Sequence, residues 1–347
     1  METIKINTNK PYSVVIGSNL LDSVGSLLNN ANLLGKVLIV SDTNVEKLYL
    51  SKVKSSLQNS GYCVYDYIVE AGENAKSGVN FIAICEFLAQ NSFTRTDIVI
   101  ALGGGVVGDL TGFVASSYAR GMRFVQIPTT LLALVDSSVG GKTAINLACG
   151  KNLVGAFYQP SLVVGDVDTL KTLPTQEFKC GMAEVIKYAC IFDDGLFEIL
   201  EQNDLTKLEE MVVKCINFKK LVVEQDEFDN GKRQLLNFGH TLGHAIEKKS
   251  DFTIPHGYAV AKGIRIILDL SAKKGICDKK VCNRVNDLLN LYGICTKNEY
   301  SLSDLFEYTL VDKKRNNDAI NVILISDLGK PIIEKMSVEK WKEFVLG

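Results

Sequence analysis

At 347 residues the chain is long enough for two domains, and its 46% hydrophobic and 22% charged residues fit a globular protein. A formal net charge of −2 excludes a general attraction to nucleic acid or anionic membrane, so an anionic ligand must be met by local clusters of Lys and Arg. No apolar run reaches the length of a membrane span and the N-terminus carries no signal or transit pattern, so a cytoplasmic protein is expected. Nine cysteines without a C-x-x-C pair predict reduced thiols rather than a disulfide frame or a thiolate metal site.

Thr3–Ile16 alternates in places and reads as an opening strand or hairpin. Lys36–Asp42 is a short apolar run suited to a strand buried on both faces, and Asp42-Thr43-Asn44 is a helix cap before Val45–Gln58. Gly61–Glu70 predicts a second strand, Ser77–Asn91 a second helix and Asp97–Leu102 a third strand. This β-α-β-α-β rhythm implies a Rossmann-like parallel sheet whose ligands bind beyond the carboxyl ends of the strands. The third strand runs into Gly103-Gly104-Gly105-Val106-Val107-Gly108-Asp109, and a helical pattern follows through Ala119. Gly103, Gly105 and Gly108 satisfy G-x-G-x-x-G at a strand-to-helix junction, where backbone N–H groups can meet a pyrophosphate. The motif follows the third strand rather than the first, and tight packing alone is the competing explanation.

Phe124–Pro128 is a further strand leading to Thr129-Thr130, and Asp136–Thr143 is a second glycine-rich turn carrying Lys142. Asp136 stands where a P-loop has its first glycine, which excludes an ordinary NTPase and leaves a polar loop with a lysine for an anion. Lys151-Asn152 follows, and Leu162–Asp166 is the last strand of this half.

After Leu173-Pro174-Thr175 the pattern becomes helical, which places the domain boundary between 1–173 and 174–347. Phe178–Ile191 carries Glu184 and Lys187 three apart, either a surface ion pair of small value or part of a site. Leu205–Glu227 is a long helix bearing Lys219 and Lys220. Arg233, Asn237, His240 and His244 recur at steps of three or four, so one helix is expected to present all four to one space. The chain has only three histidines, and His256 completes the cluster after the break at Thr253-Ile254-Pro255. Such a cluster favours a metal site, of three imidazoles or of two completed by Glu184 as the carboxylate of a His-His-Glu set. His256–Lys274 and Lys279–Tyr292 are further helices; Asn321–Ile325 and Pro331–Ile333 form a hairpin, and Val338–Leu346 is a last amphipathic helix. The chemistry implied is a dinucleotide in one half, a divalent metal in the other and a polyanionic substrate between them, met by Lys142, Lys151, Lys187, Lys219 and Arg233.

The blocks Ser41–Val45, Gly72–Lys76, Gly103–Asn146, Lys151–Pro160, Thr169–Pro174, Gly181–Tyr188, Arg233–Glu247 and His256-Gly257 together resemble the 3-dehydroquinate synthase family over nearly the whole chain. The resemblance implies conversion of the seven-carbon keto-sugar acid phosphate DAHP into 3-dehydroquinate and phosphate, in the shikimate pathway of aromatic amino acid biosynthesis. It implies bound NAD, a divalent metal (Zn2+, with Co2+ as an alternative) and a homodimer. Glu184, His240 and His256 are the implied metal ligands, and His244 the imidazole for proton transfer. Lys142, Asn152, Lys187, Lys219, Arg233 and Asn237 are the implied substrate contacts, joined by Arg120 from the neighbouring subunit and by one of Lys313 and Lys314. The implied NAD contacts are Asp42, Asn44, Glu73, Lys76, Gly105, Val106, Val107, Gly108, Asp109, Thr129, Thr130, Asp136, Lys142, Lys151, Thr169 and Thr172. Two departures stand out. Tyr258 replaces the usual Glu of His-Gly-Glu, which predicts a missing carboxylate behind the third ligand, and Ala144 replaces a usual glycine. The alternatives are another sugar-phosphate cyclase and a metal-dependent polyol dehydrogenase.

Overall fold

A computed structural model of the protein describes residues 1–193, 195–294, 297–311 and 319–347. The expected contact from Lys313 or Lys314 lies outside the described residues. Two compact units emerge, Met1–Pro174 with Lys219–Phe228, and Thr175–Phe218 with Asp229–Gly347. Lys219–Phe228 joins the first unit through side chains that sequence spacing does not display. Glu224 accepts from the Asn7 amide at 2.7 Å, Glu227 from the Asn9 amide at 3.0 Å and from Gln159 at 3.0 Å.

The first unit is built on a seven-stranded sheet. Its strands are β1 (Glu2–Ile6), β2 (Tyr12–Gly17), β3 (Val37–Asp42), β4 (Val64–Val69), β5 (Ile98–Gly103), β6 (Arg123–Pro128) and, after the hairpin β7 (Lys142–Leu147) and β8 (Gly150–Phe157), β9 (Leu162–Asp166). Spatial order is β1-β2-β9-β6-β5-β3-β4, parallel except for the antiparallel edge pair β1 and β2. Every residue of β5 is buried, as an apolar run covered on both faces requires. Alternate residues of β3 serve opposite cores, Val37 and Ile39 one layer, Leu38 and Val40 the other. Full burial of each such side chain is worth about 1.5–3 kcal/mol, so the central strands anchor the unit.

β3 has β4 on one side and β5 on the other, so the chain reverses its direction of travel across the sheet at β3. Ligands of open parallel sheets sit beyond the carboxyl ends at such a point. Asp42 at the end of β3, and Gly103 at the end of β5 with the helix that begins at Gly105, flank it.

Three local expectations are corrected. The helix after the glycine loop ends at Ser117, because Ala119 and Arg120 take φ of 49° and 63° to turn the chain into β6. The segment beginning at Lys142, read as the end of a polar turn, opens the β7–β8 hairpin, with Thr143, Ala144 and Ile145 buried. The helix after Asp42 starts as a π-turn at Glu46–Leu50 and is regular only over Ser51–Asn59.

The second unit is mainly helical and closes with the antiparallel hairpin β10 (Ala319–Asp327) and β11 (Lys330–Ser337) and the helix Val338–Leu346. Its central helix, Thr175–Phe192, is buried at every position from Cys180 to Ile191. A helix covered on all sides lies inside a core, so Glu184 and Lys187 have no solvated face to occupy. A fourth correction concerns Arg233–His244. This stretch is a 3-10 segment, Lys232–Asn237, followed by a break and the helix His240–Lys249. Gly239 makes the break at φ 76°, and a Cβ there would lie 2.9 Å from the backbone nitrogen of Ile264. Arg233 and Asn237 therefore precede the histidine helix instead of extending it.

Candidate active site

In the first unit the residues singled out by sequence cluster after the carboxyl ends of the parallel strands. Asp42 ends β3 and accepts from the Asn44 and Val45 amides at 2.9 and 3.0 Å, fixing the turn into the helix. Lys76 is 4% exposed and donates to Asp109 at 2.7 Å and to Asn152 at 2.5 Å. Burial pushes the Asp109 carboxyl up, and the Lys76 ammonium pulls it back. Asn146 links the same region, donating to Glu73 at 2.7 Å and accepting from the Asn152 amide at 2.9 Å. Lys219 pairs with the Asp136 carboxylate and donates to the Asp136 carbonyl at 2.6 Å. Thr172 bonds to the Tyr49 hydroxyl, which also donates to the Thr169 carbonyl at 3.1 Å. Thr129 is buried and its amide donates to the Gly103 carbonyl at 3.0 Å; Thr130 Oγ1 accepts from the Ala133 amide at 3.2 Å.

The helix Gly105–Ser117 starts at this edge with no side-chain cap and no acid in its first turn. Its N–H groups and positive dipole end fit a pyrophosphate, with no carboxylate in the turn to repel it. Lys142 and Asn152 are exposed on the β7–β8 hairpin, and Lys151 is half-buried. Arg120 is not with this group. It is exposed just before β6, and thus at the edge opposite the carboxyl ends.

In the second unit Glu184, His240 and His256 each offer one donor atom within 4.8 Å of the others. Nε2 of His240 lies 3.6 Å, and Nε2 of His256 3.4 Å, from Glu184 Oε1. The other ring nitrogens are taken: His240 Nδ1 donates to the Phe238 carbonyl at 3.1 Å and His256 Nδ1 to Glu247 Oε2 at 3.2 Å. Both Nε2 atoms therefore face the carboxylate, the donor set of a metal held by two imidazoles and a carboxylate with an open position. Lys187 pairs with the second oxygen of Glu184, and both side chains are buried. Burial, with Lys187 nearby, holds His240 well below its usual pKa and so neutral, as a ligand must be. Burial opposes charge on His256, but the hydrogen bonds it donates to Glu184 and Glu247 outweigh it and raise its pKa to about 10.

Helix packing sets this geometry. His256 opens the helix His256–Lys273 behind Pro255. A Cβ on Gly257 would lie 2.4 Å from the Cys180 backbone, so glycine lets this helix start against the helix of Glu184. His244 is exposed, one turn after His240, with ring centroids 5.4 Å apart. Arg233 is buried and Asn237 exposed on the preceding 3-10 segment.

Family models described as the 3-dehydroquinate synthase N-terminal and C-terminal domains match residues 66–180 and 181–315. The chain belongs to the 3-dehydroquinate synthase family. Among members, a 3-dehydroquinate synthase of Clostridium perfringens strain 13 is 44% identical over 98% of this chain and 99% of its own. One from Clostridium botulinum strain Alaska E43 is 42% identical over 96% of this chain and 97% of its own. Among solved structures, a 2-deoxy-scyllo-inosose synthase complexed with carbaglucose-6-phosphate, NAD+ and Co2+ superposes with a TM-score of 0.89. It is 26% identical and covers 99% of both chains.

For a member of this family, one group was missed by sequence reasoning. Glu247 stands within a block used for the resemblance, yet spacing assigns it no role. Its signal was position: seven residues after His240, it lies on the same face two turns on. The carboxylate expected to be missing behind His256, because Tyr258 replaces a glutamate, is thus present from another helix.

Proposed function

We propose that the chain is a 3-dehydroquinate synthase converting DAHP into 3-dehydroquinate and phosphate, working as a cytoplasmic homodimer. The observation that carries the reading is the likeness, at 42–44% identity over almost the full chain, to relatives of that name. Likeness to the 2-deoxy-scyllo-inosose synthase is much lower, at 26%, which favours DAHP over the substrate of another cyclase. Among the described residues no helix is long and apolar enough to cross a membrane.

When bound, NAD would supply reversible hydride exchange, and the divalent metal, proposed as Zn2+ with Co2+ as a substitute, would polarise the oxygen of the ring hydroxyl that is oxidised. Oxidation of that hydroxyl acidifies the neighbouring C–H, which allows phosphate to leave; the ketone is then reduced, and ring opening and aldol closure follow. Glu184, His240 and His256 are the proposed ligands. His244, exposed beside them, moves the proton at the acidified carbon. Lys142, Asn152, Lys187, Lys219, Arg233 and Asn237 are the proposed substrate contacts, suited to an anionic ligand by their three lysines and one arginine. The helix start Gly105–Asp109, with Asp42, Asn44, Glu73, Lys76, Thr129, Thr130, Asp136, Lys142, Lys151, Thr169 and Thr172, makes the proposed dinucleotide contacts. Arg120, at the far edge of its own sheet, serves the phosphate of the neighbouring subunit.

The test is an assay with DAHP, NAD+ and Zn2+ that follows phosphate and NADH together. Phosphate release without accumulating NADH is expected. NADH rising in proportion to substrate consumed would instead mean a net dehydrogenase, and no phosphate release would sink the DAHP reading.

A further inference from the structure

We propose that Glu247 is a positioning residue of the metal centre, holding His256 in the tautomer that aims Nε2 at Glu184. The inference rests on the reading of Glu184, His240 and His256 as metal ligands. Glu247 is 7% exposed, and its Oε2 accepts from His256 Nδ1 at 3.2 Å. His256 is the first residue of its helix, so no earlier turn of that helix packs on its ring. An acceptor on Nδ1 is then what fixes the ring's rotation and the location of its proton. His240 is treated alike, but its acceptor is the neutral Phe238 carbonyl. The anionic partner makes the His256 imidazole the stronger donor of the two.

The helix His240–Lys249 thus carries one ligand and the carboxylate that orients another. Glu247 also lies with His244 and His256 in a second group whose donor atoms are within 4.8 Å, so a role as direct ligand of another ion must be distinguished.

Zn2+ affinity of the parent, E247Q and E247A, measured by chelator competition, and the absorption spectrum of the Co2+-loaded proteins test the proposal. The expected result is one ion per chain in all three, with affinity about 10–100-fold weaker in E247A and a smaller loss in E247Q, whose amide keeps an acceptor oxygen. The Co2+ spectrum of E247A is expected to shift. Unchanged affinity and spectrum, with only a lower melting temperature of the metal-free variants, would mean a merely structural residue and overturn the proposal. Two ions in the parent and one in E247Q would make Glu247 a ligand, and would overturn it equally. If E247A does not fold, the affinity of E247Q decides. A parent that binds no Zn2+ would sink the metal reading itself, an outcome distinct from either variant result.

Discussion

Glu184 and Lys187, one helical turn apart, form an ion pair in which neither side chain is exposed. A pair in the core differs in kind from the surface pair that its spacing suggests. Removing one partner of a buried pair costs about 3–5 kcal/mol where nothing else compensates the remaining charge, and less here, because His256 also faces Glu184 at 3.4 Å. Metal-free K187M is therefore expected to unfold at lower denaturant than the parent. Saturating Zn2+ should narrow the gap, since an ion bound only by the folded state also supplies a counter-charge to Glu184. Equal metal-free stability of the two proteins would contradict the pairing.

His256 and His244 should separate metal binding from proton transfer. H256A is expected to lose metal and activity together, whereas H244A should keep most of its metal and lose about 10²–10⁴-fold in turnover. Metal content of the purified variants checks this, and equal metal loss in both would refute the division of roles.

The pH dependence of metal uptake follows from His256. In the metal-free fold its pKa is raised to about 10, above the ordinary value of 6.5. Its contribution to metal-free stability is complete below the lower value and fades as pH rises through the higher one. A metal must displace that proton, so uptake at pH values between the two is expected to release about one proton per ion, with affinity rising with pH. Proton release in weakly buffered solution measures it directly. Release of none in H256A, if that variant is forced to bind, is the matching control.

Gly257 permits the approach of two helix backbones, with its added Cβ 2.4 Å from Cys180. G257A is expected to destabilise the protein by about 1–3 kcal/mol or more through overpacking, and to weaken metal binding by displacing His256. Thermal melts and chelator competition on G257A read both effects, and parent-like values in each would show that the contact can relax.

Much of the first unit was legible in the residues. The runs at Val37–Ser41 and Ile98–Leu102 are apolar at nearly every position, and only a strand covered on both faces accommodates that. The β7–β8 hairpin was not legible, because the apolar Leu153, Val154 and Phe157 are exposed while Thr143 and Ala144 are buried, so polarity does not follow burial along it. The single helix expected over Arg233–His244 followed from spacing alone, and the left-handed backbone at Gly239 ended it.

The sequence by itself determined the chemistry on offer: three histidines in one segment, a glycine loop at a strand end, and blocks of one family. Only the tertiary structure decided how that chemistry is divided. It turned two imidazoles toward Glu184, left His244 exposed, gave Glu247 to His256 and carried Lys219 into the first unit beside Asp136. The physical reason is that hydrogen-bond direction and burial are set by helices packing across long stretches of chain, whereas spacing reports only neighbours on one element.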